Sequence, residues 1–374
     1  METNQLHPKP RGRGALSNHS GRFEATKREL TDDGWGSLGG NEEQEIAAEI
    51  GAQQQTIIGI DSARTIISRN DSPDIGFDRS INTYKGCEHG CIYCYARPTH
   101  TYLGLSAGVD FERRIFAKPQ AANLLREHLT RIGYRPETIV IGANTDPYQP
   151  VERDLRITRQ VLELMAECRH PVGLITKSDL VTRDIDVLSD LARDGLVHVG
   201  VSVTTLIPSL ARTMEPRAST PAKRLSAIRS LTDAGIPVRI MAAPMIPGIN
   251  DHELEKILTT GADLGARYAA YTLLRVPLEI EGLVREWLEE HFPTKAEKVF
   301  SHLRGAHGDA EHPNRAYNSQ FGSRMRGRGA YADILRQRFR ATVTRLGLNS
   351  ERPPLPVNLF RAPAKDKNQM GFGF

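Results

Sequence analysis

The chain is short of cysteine, of net charge and of long apolar runs. Four cysteines in 374 residues cannot build a disulfide scaffold. No stretch reaches the roughly 18 apolar residues that a membrane span requires, and the opening METNQLHPKPRGRG carries no apolar core of a leader. A net charge of +4 names no partner by itself. These absences predict a cytoplasmic protein without membrane contact, in which thiols stay reduced and free to bind metal. What is present, 39% apolar and 25% charged residues, suffices for one large domain or two ordinary ones with a sizeable core.

Residues 1–70 mix Gly, Asn, Ser, Gln and Glu with few aromatics, as in LGGNEEQEIAAEIGAQQQ, and read as a poorly ordered segment. From about 71 to 305 short apolar runs alternate with amphipathic helices. Strands are expected over 80–84, 138–142, 172–176, 197–203, 238–243 and 269–274, each rich in Ile and Val and next to turn residues. The stretch PAKRLSAIRSLTDAG has Thr220 as N-cap, Pro221 in the first turn and Gly235 at its close. Six strand–helix units imply an α/β fold with a parallel sheet, doubly wound or curled as a barrel. Residues 306–374 differ: YADILRQRFRATVTRLGL reads as a basic helix with Ile334, Leu335, Phe339, Val343 and Leu346 on one stripe, followed by a Pro-rich tail.

Cys87, Cys91 and Cys94 lie in one short loop, YKGCEHGCIYCYARP. A structural zinc site wants a fourth ligand, which would have to be Cys168, 74 residues on from Cys94 in a helix, or His89, squeezed between two other ligands. Three unrelated buried thiols fit poorly with a turn bracketed by Gly86 and Gly90. An iron–sulfur cluster with one iron left without a protein ligand uses all three and keeps room for a small molecule.

The spacing C-x3-C-x2-C, with Tyr93 before the last cysteine and a strand before the loop, resembles the radical S-adenosylmethionine superfamily. The wider string GCEHGCIYCYARP resembles its spore photoproduct lyase-like branch. The resemblance, over about 81–274, implies a partial (β/α)6 TIM-type barrel, with a flexible N-terminal segment and a basic helical C-terminal extension flanking it here. It implies a [4Fe–4S] cluster on Cys87, Cys91 and Cys94 whose open iron binds S-adenosylmethionine. A one-electron reductant of flavodoxin or ferredoxin type would drive reductive cleavage to a 5′-deoxyadenosyl radical, which abstracts hydrogen from substrate.

The resemblance also assigns cofactor contacts at the strand ends. Asn144, Thr145 and Asp146 would meet the methionine amino group; the alternative is an Asx-turn into Pro147. Lys177 would lie near the methionine moiety, or on the surface. Ser202 would contact the ribose, or be a satisfied core serine. Arg217 would grip a carboxylate, or pair with Glu215. The Ile246 backbone would line the adenine site, with Tyr93 beside the adenine and Tyr95 as a weaker candidate. His89 reads as a solvated loop histidine and Cys168 as a core residue. The branch carries a hydrogen-donor cysteine near the end of the second strand, where this chain has Ala143 and no cysteine between 95 and 167.

For substrate, nucleic acid is one expectation, since residues 315–345 hold eight arginines against Asp333 alone, with Arg324, Arg326 and Arg328 placed to face phosphates. A protein, peptide or small metabolite is the second. An iron–sulfur nucleic-acid-binding protein that makes no radical is the third.

Overall fold

Apolar runs of three to eight residues become the strands of this protein. A computed structural model describes residues 12–24, 55–308, 311–351 and 353–364. Its strands are β1 (Ile57–Ile60), β2 (Ile67–Arg69), β3 (Arg79–Ile81), β4 (Tyr84–Lys85), β5 (Arg114–Ala117), β6 (Ile139–Ile141), β7 (Val172–Thr176), β8 (Val197–Ser202), β9 (Val238–Met245) and β10 (Tyr268–Leu273). Its α-helices are α1 (Val109–Arg113), α2 (Ala121–Leu129), α3 (Glu152–Leu155), α4 (Ile157–Glu167), α5 (Ile185–Arg193), α6 (Pro208–Met214), α7 (Pro221–Asp233), α8 (Leu254–Asp263), α9 (Glu279–His291), α10 (Ala296–His307) and α11 (Gly329–Arg345).

One seven-stranded sheet runs β10-β9-β8-β7-β6-β3-β2. The six strands from β3 to β10 are parallel and β2 is antiparallel. This is the six-stranded parallel α/β core expected of a partial barrel, open between β10 and the β2–β3 edge. Val172, Leu174, Val199, Val201, Val238 and Ile240 are fully buried; at roughly 1.5–3 kcal/mol for burying each such side chain, this layer outweighs any local turn in fixing the sheet. The helices between strands close as their sequences dictate: the Thr220 side chain accepts from the Lys223 N–H at the start of α7, and Gly235 takes φ +77° just beyond its end.

The first expected strand is divided. β3 ends at Ile81 and pairs with β6, whereas Tyr84 and Lys85 pair with β5 in a separate sheet of order β1-β5-β4. Asn82 lies between them, and its Oδ1 accepts the N–H groups of Asn144 and Thr145 at 2.9 and 3.3 Å, which ends the ladder there. Much of the segment expected to be poorly ordered lies outside the described residues. Its residues 57–60 and 67–69 are β1 and β2, and Arg13, Gly14 and Ala15 pack over the cysteine loop.

α11 lays Ala332, Leu335, Phe339 and Thr342 on the barrel. Ile334, expected on that stripe, is 56% exposed, because the buried positions 332, 335, 339 and 342 recur every three or four residues and 334 falls off that face.

Candidate functional site

Two glycines bend the cysteine loop. Gly86 and Gly90 take φ +76° and +67°, and a Cβ would stand 2.9 Å from Phe111 O at the first and 2.7 Å from Glu112 Oε2 at the second. Main-chain bonds then anchor the loop: the Cys87 N–H donates to Phe111 O and the Ile92 N–H to Met214 O, both at 2.9 Å. Arg97, fully buried, donates to Cys91 O at 2.9 Å, Ala107 O at 3.1 Å and Gly108 O at 2.9 Å, and pairs with Glu112. Glu112 accepts the Gly14 and Ala15 N–H groups, each at 2.8 Å. The loop is thus held from three sides before any ligand arrives.

Cys87 and Cys91 are buried, and Cys94 is half-buried against Cys87 and Phe111. Burial, with Asp146 and the neighbouring thiols, pushes the Cys87 thiol well up. Burial likewise raises Cys91 to about 12, against the lowering pull of Lys177. Both shifts favour the protonated thiols of Cys87 and Cys91, and binding a metal there would release those protons. Among the described residues no three His, Cys, Asp or Glu side chains converge on a single ion. Three thiols carried on one short loop are the ligand type and number that a cluster with one open iron takes. Cys168 is fully buried at the end of α4, as a core residue.

Above the loop stand the ends of β6, β7 and β8. Asp146 accepts from Thr176 Oγ1 at 2.7 Å, the Lys177 N–H at 2.7 Å and the Tyr148 N–H at 2.9 Å, with His89 Nδ1 at 3.3 Å. Burial opposes its ionisation, but His89 and these hydrogen bonds outweigh burial and hold its carboxyl down at about 2. The Asx-turn and a strand-end tie coexist here, and both carboxylate oxygens are already engaged. His89 is not solvated: it is 2% exposed because Asp146 draws it inward.

Lys177 is half-buried with its Nζ 5.7 Å from the centre of the Tyr93 ring. Burial works against its charge, and Cys91 and Glu215 more than restore it, so its pKa is raised. Glu215 is the residue that sequence reasoning did not place. It is 2% exposed, pairs with Arg224 at 2.5 Å, accepts from Thr204 Oγ1 at 2.6 Å and from the Tyr93 hydroxyl, and lies 4.0 Å from Cys91 Sγ. Burial raises its carboxyl, but Arg224, Lys177 and those hydroxyls hold it below its usual value. An acidic residue just past an apolar helix end, nine residues before a buried arginine, was the available signal.

Arg217 does not pair with Glu215. Its Nη2 lies 3.0 Å from Glu88 Oε1, and its N–H donates to His89 O, so it braces the cysteine loop. Glu88 also accepts from Thr56 Oγ1 at 2.6 Å and from the Val151 N–H at 2.8 Å. Thr145 Oγ1 donates to Tyr84 O at 2.9 Å, while Asn144 uses its N–H on Asn82 and keeps a half-buried side chain. Ser202 Oγ donates to Ala243 O at 3.0 Å, and the buried Ile246 donates its N–H to Asn250 Oδ1 at 2.6 Å. The Tyr95 hydroxyl donates to Ala143 O, and its ring carries the Arg275 guanidinium at 4.4 Å.

The three C-terminal arginines do not act together. Arg324 is committed to Asp74 Oδ2 at 2.7 Å and to Ser72, so it faces protein rather than a phosphate. Arg326 is exposed over the Tyr271 ring, at 5.5 Å, and Arg328 is exposed at the start of α11.

With this geometry in place, likeness to other proteins becomes specific. Residues 81–260 match the Radical SAM superfamily. That stretch, just under half of the chain, is similar to a superfamily whose cofactors are a [4Fe–4S] cluster and S-adenosylmethionine. An uncharacterized protein of Mycobacterium tuberculosis is 34% identical over 219 residues, 58% of this chain and 64% of that protein. One from Methanocaldococcus jannaschii is 27% identical over 220 residues, 59% and 78% of the two chains. The matched stretch thus spans just under two thirds of the mycobacterial relative. Spore photoproduct lyase complexed with dinucleoside spore photoproduct superposes with a TM-score of 0.56 at 14% identity, over 79% of this chain and 82% of that one. A mutant of that lyase with bound AdoMet and the same dinucleoside gives 0.56 at 14% identity, over 79% and 82%. The fold is therefore that of spore photoproduct lyase. Among the described residues no helix is long and apolar enough to cross a membrane.

Proposed function

We propose that this enzyme uses a cluster on Cys87, Cys91 and Cys94 to cleave S-adenosylmethionine reductively and abstract hydrogen from a substrate. One observation carries the reading: three thiols are fixed in one loop beside Glu215, 4.0 Å from Cys91 Sγ, and beside Lys177, whose Nζ lies 5.7 Å from the centre of the Tyr93 ring. When bound, the cluster and cofactor supply one-electron cleavage of the sulfonium and a carbon radical.

The chain's own residues bind and orient. Lys177 offers the cation for the cofactor's carboxylate. The half-buried Asn144 side chain, whose own N–H is spent on Asn82, is placed to meet the amino group. Asp146 acts through Lys177 and Thr176, whose positions it fixes. Tyr93, Ser202 and Ile246 line the adenosine side. Arg217, held by Glu88, keeps the loop in place rather than gripping the cofactor. A flavodoxin- or ferredoxin-type carrier supplies the electron, in the cytoplasm.

Spore photoproduct lyase, which shares this fold, is described in complex with dinucleoside spore photoproduct, which supports a nucleic-acid component as substrate. Repair of spore photoproduct itself is not expected, since Tyr95 and Ala143 occupy the strand end where the branch carries its hydrogen-donor cysteine. The engagement of Arg324 by Asp74 favours, as second reading, a protein, peptide or small metabolite.

Anaerobic reconstitution should give about four irons per chain, and dithionite with S-adenosylmethionine should release 5′-deoxyadenosine. The joint change of Cys87, Cys91 and Cys94 to Ala should abolish iron binding, while Cys168→Ala keeps it. Lys177→Ala should keep the iron but weaken S-adenosylmethionine binding roughly ten- to a hundredfold. A loaded cluster that never cleaves the cofactor would select an iron–sulfur nucleic-acid-binding protein instead.

A further inference from the structure

Tyr93 and Tyr95 flank Cys94 in the chain, and each carries a cation on its ring. Lys177, just past β7, places its Nζ 5.7 Å from the centre of the Tyr93 ring. Arg275, just past β10, places its guanidinium carbon 4.4 Å from the centre of the Tyr95 ring. β8 and β9 separate β7 from β10 in the sheet, so the two cations reach the cysteine loop from different sides of the barrel mouth. Tyr95 is held in turn, since its hydroxyl donates to Ala143 O beyond the end of β6. Arg275 is held from behind: the Leu274 N–H donates to Met245 O at 2.9 Å, which carries the pairing of β9 and β10 up to its neighbour.

Arg275 has charge and donors to spare. Among the described residues its guanidinium donates to no acceptor and pairs with no carboxylate; its contact is the Tyr95 ring. Stacking occupies one face of the guanidinium and leaves its N–H edge, the part that grips an oxyanion with two parallel bonds. The side chain is half-buried, yet none of its nitrogens is sealed from solvent, and Tyr95 is 46% exposed. S-adenosylmethionine brings one carboxylate, for which Lys177 is the cation, and an uncharged adenosine. The second cation beside Cys94 thus has no counterpart on the cofactor. An open aromatic ring next to a free guanidinium edge suits a nucleotide, whose base lies against the ring while its phosphate fills the fork.

We infer that Arg275, held on Tyr95, anchors the substrate through a phosphate of a nucleic-acid component. This rests on the reading of the substrate as such a component, and narrows it to one that carries phosphate beside the unit from which hydrogen is taken.

The test uses the full chain with its cluster reconstituted and S-adenosylmethionine bound, without reductant, so that nothing turns over. A labelled single-stranded oligonucleotide of mixed sequence is titrated by anisotropy. The same sequence on an uncharged methylphosphonate backbone and a labelled acidic peptide are titrated beside it. Wild type should bind the phosphodiester more tightly than the methylphosphonate. Arg275→Gln should weaken the phosphodiester about tenfold and the methylphosphonate less than about twofold. Arg275→Lys, which keeps the charge without the fork, should recover part of that loss. Arg131→Gln removes an exposed arginine past α2, at the other end of the sheet, and should change phosphodiester binding by less than about twofold. The affinity of Arg275→Gln for S-adenosylmethionine should match wild type, which also reports that the variant folds. Wild type that binds both backbones equally, or an Arg131→Gln loss as large as that of Arg275→Gln, overturns the phosphate contact and leaves the nucleic-acid reading standing. An Arg275→Gln loss for S-adenosylmethionine as large as for the oligonucleotide gives the arginine to the cofactor and overturns the assignment. Wild type that binds neither oligonucleotide, or a loss confined to the acidic peptide, overturns both.

Discussion

The cysteine-loop end and the β10 flank handle charge in opposite ways. Near Cys91 the carboxylates are surrounded: Asp146 has three hydrogen-bond donors and a histidine, and Glu215 has an arginine and two hydroxyls. Near Tyr271 three guanidiniums share one acid. A closed buried network fixes geometry in advance, and loss of any member leaves a charge stranded. An open group of exposed cations adds little stability but keeps its donors for something outside. The first arrangement suits holding a reactive loop still, and the second leaves its charges to solvent.

The contrast breaks most sharply at Arg224. Arg224→Met should destabilise the protein by about 3–5 kcal/mol, because Glu215 stays buried without its ion pair; chemical denaturation measures this, and a loss under about 1 kcal/mol would erase the difference between the two regions. Asp146→Asn comes next, at about 2 kcal/mol near neutral pH. Its carboxyl is held at about 2 when folded, against roughly 3.9 unfolded. The stabilisation is therefore present above about pH 4 and lost as pH falls toward 2, so variant and wild-type unfolding curves should converge in strong acid. The smallest effect belongs to the flank: Arg326→Gln with Arg340→Gln should shift stability by no more than about 0.5 kcal/mol for either change, read from thermal melts in chloride.

Much of the core was legible because burial writes itself as runs of Ile and Val. The run 172–176 became β7 with the same bounds, and 197–203, 238–243 and 269–274 lie within a residue or two of β8, β9 and β10. The small sheet was not legible: β5 is four residues, RIFA, inside a charged stretch, and its partners β1 and β4 lie far away along the chain. At the site, the cysteine spacing stood out, since sequence-local ligands need no tertiary information. Partners did not. Arg324 meets Asp74 from 250 residues away, and Arg217 meets Glu88 across 129. His89, set between acidic and glycine neighbours, reads as solvated until Asp146 is seen beside it.

The clamp of residues 13–15 on Glu112 has a bearing on where this protein can be cut. A Cβ on Gly14 would stand 1.7 Å from Gly90 O, so the first described stretch is fitted against the middle of the cysteine loop. The superfamily match begins only at residue 81. The unit recognised by kinship is therefore smaller than the unit that folds, and a fragment trimmed to the matched boundaries would lose the wall behind Gly90 together with the donors that Glu112 requires.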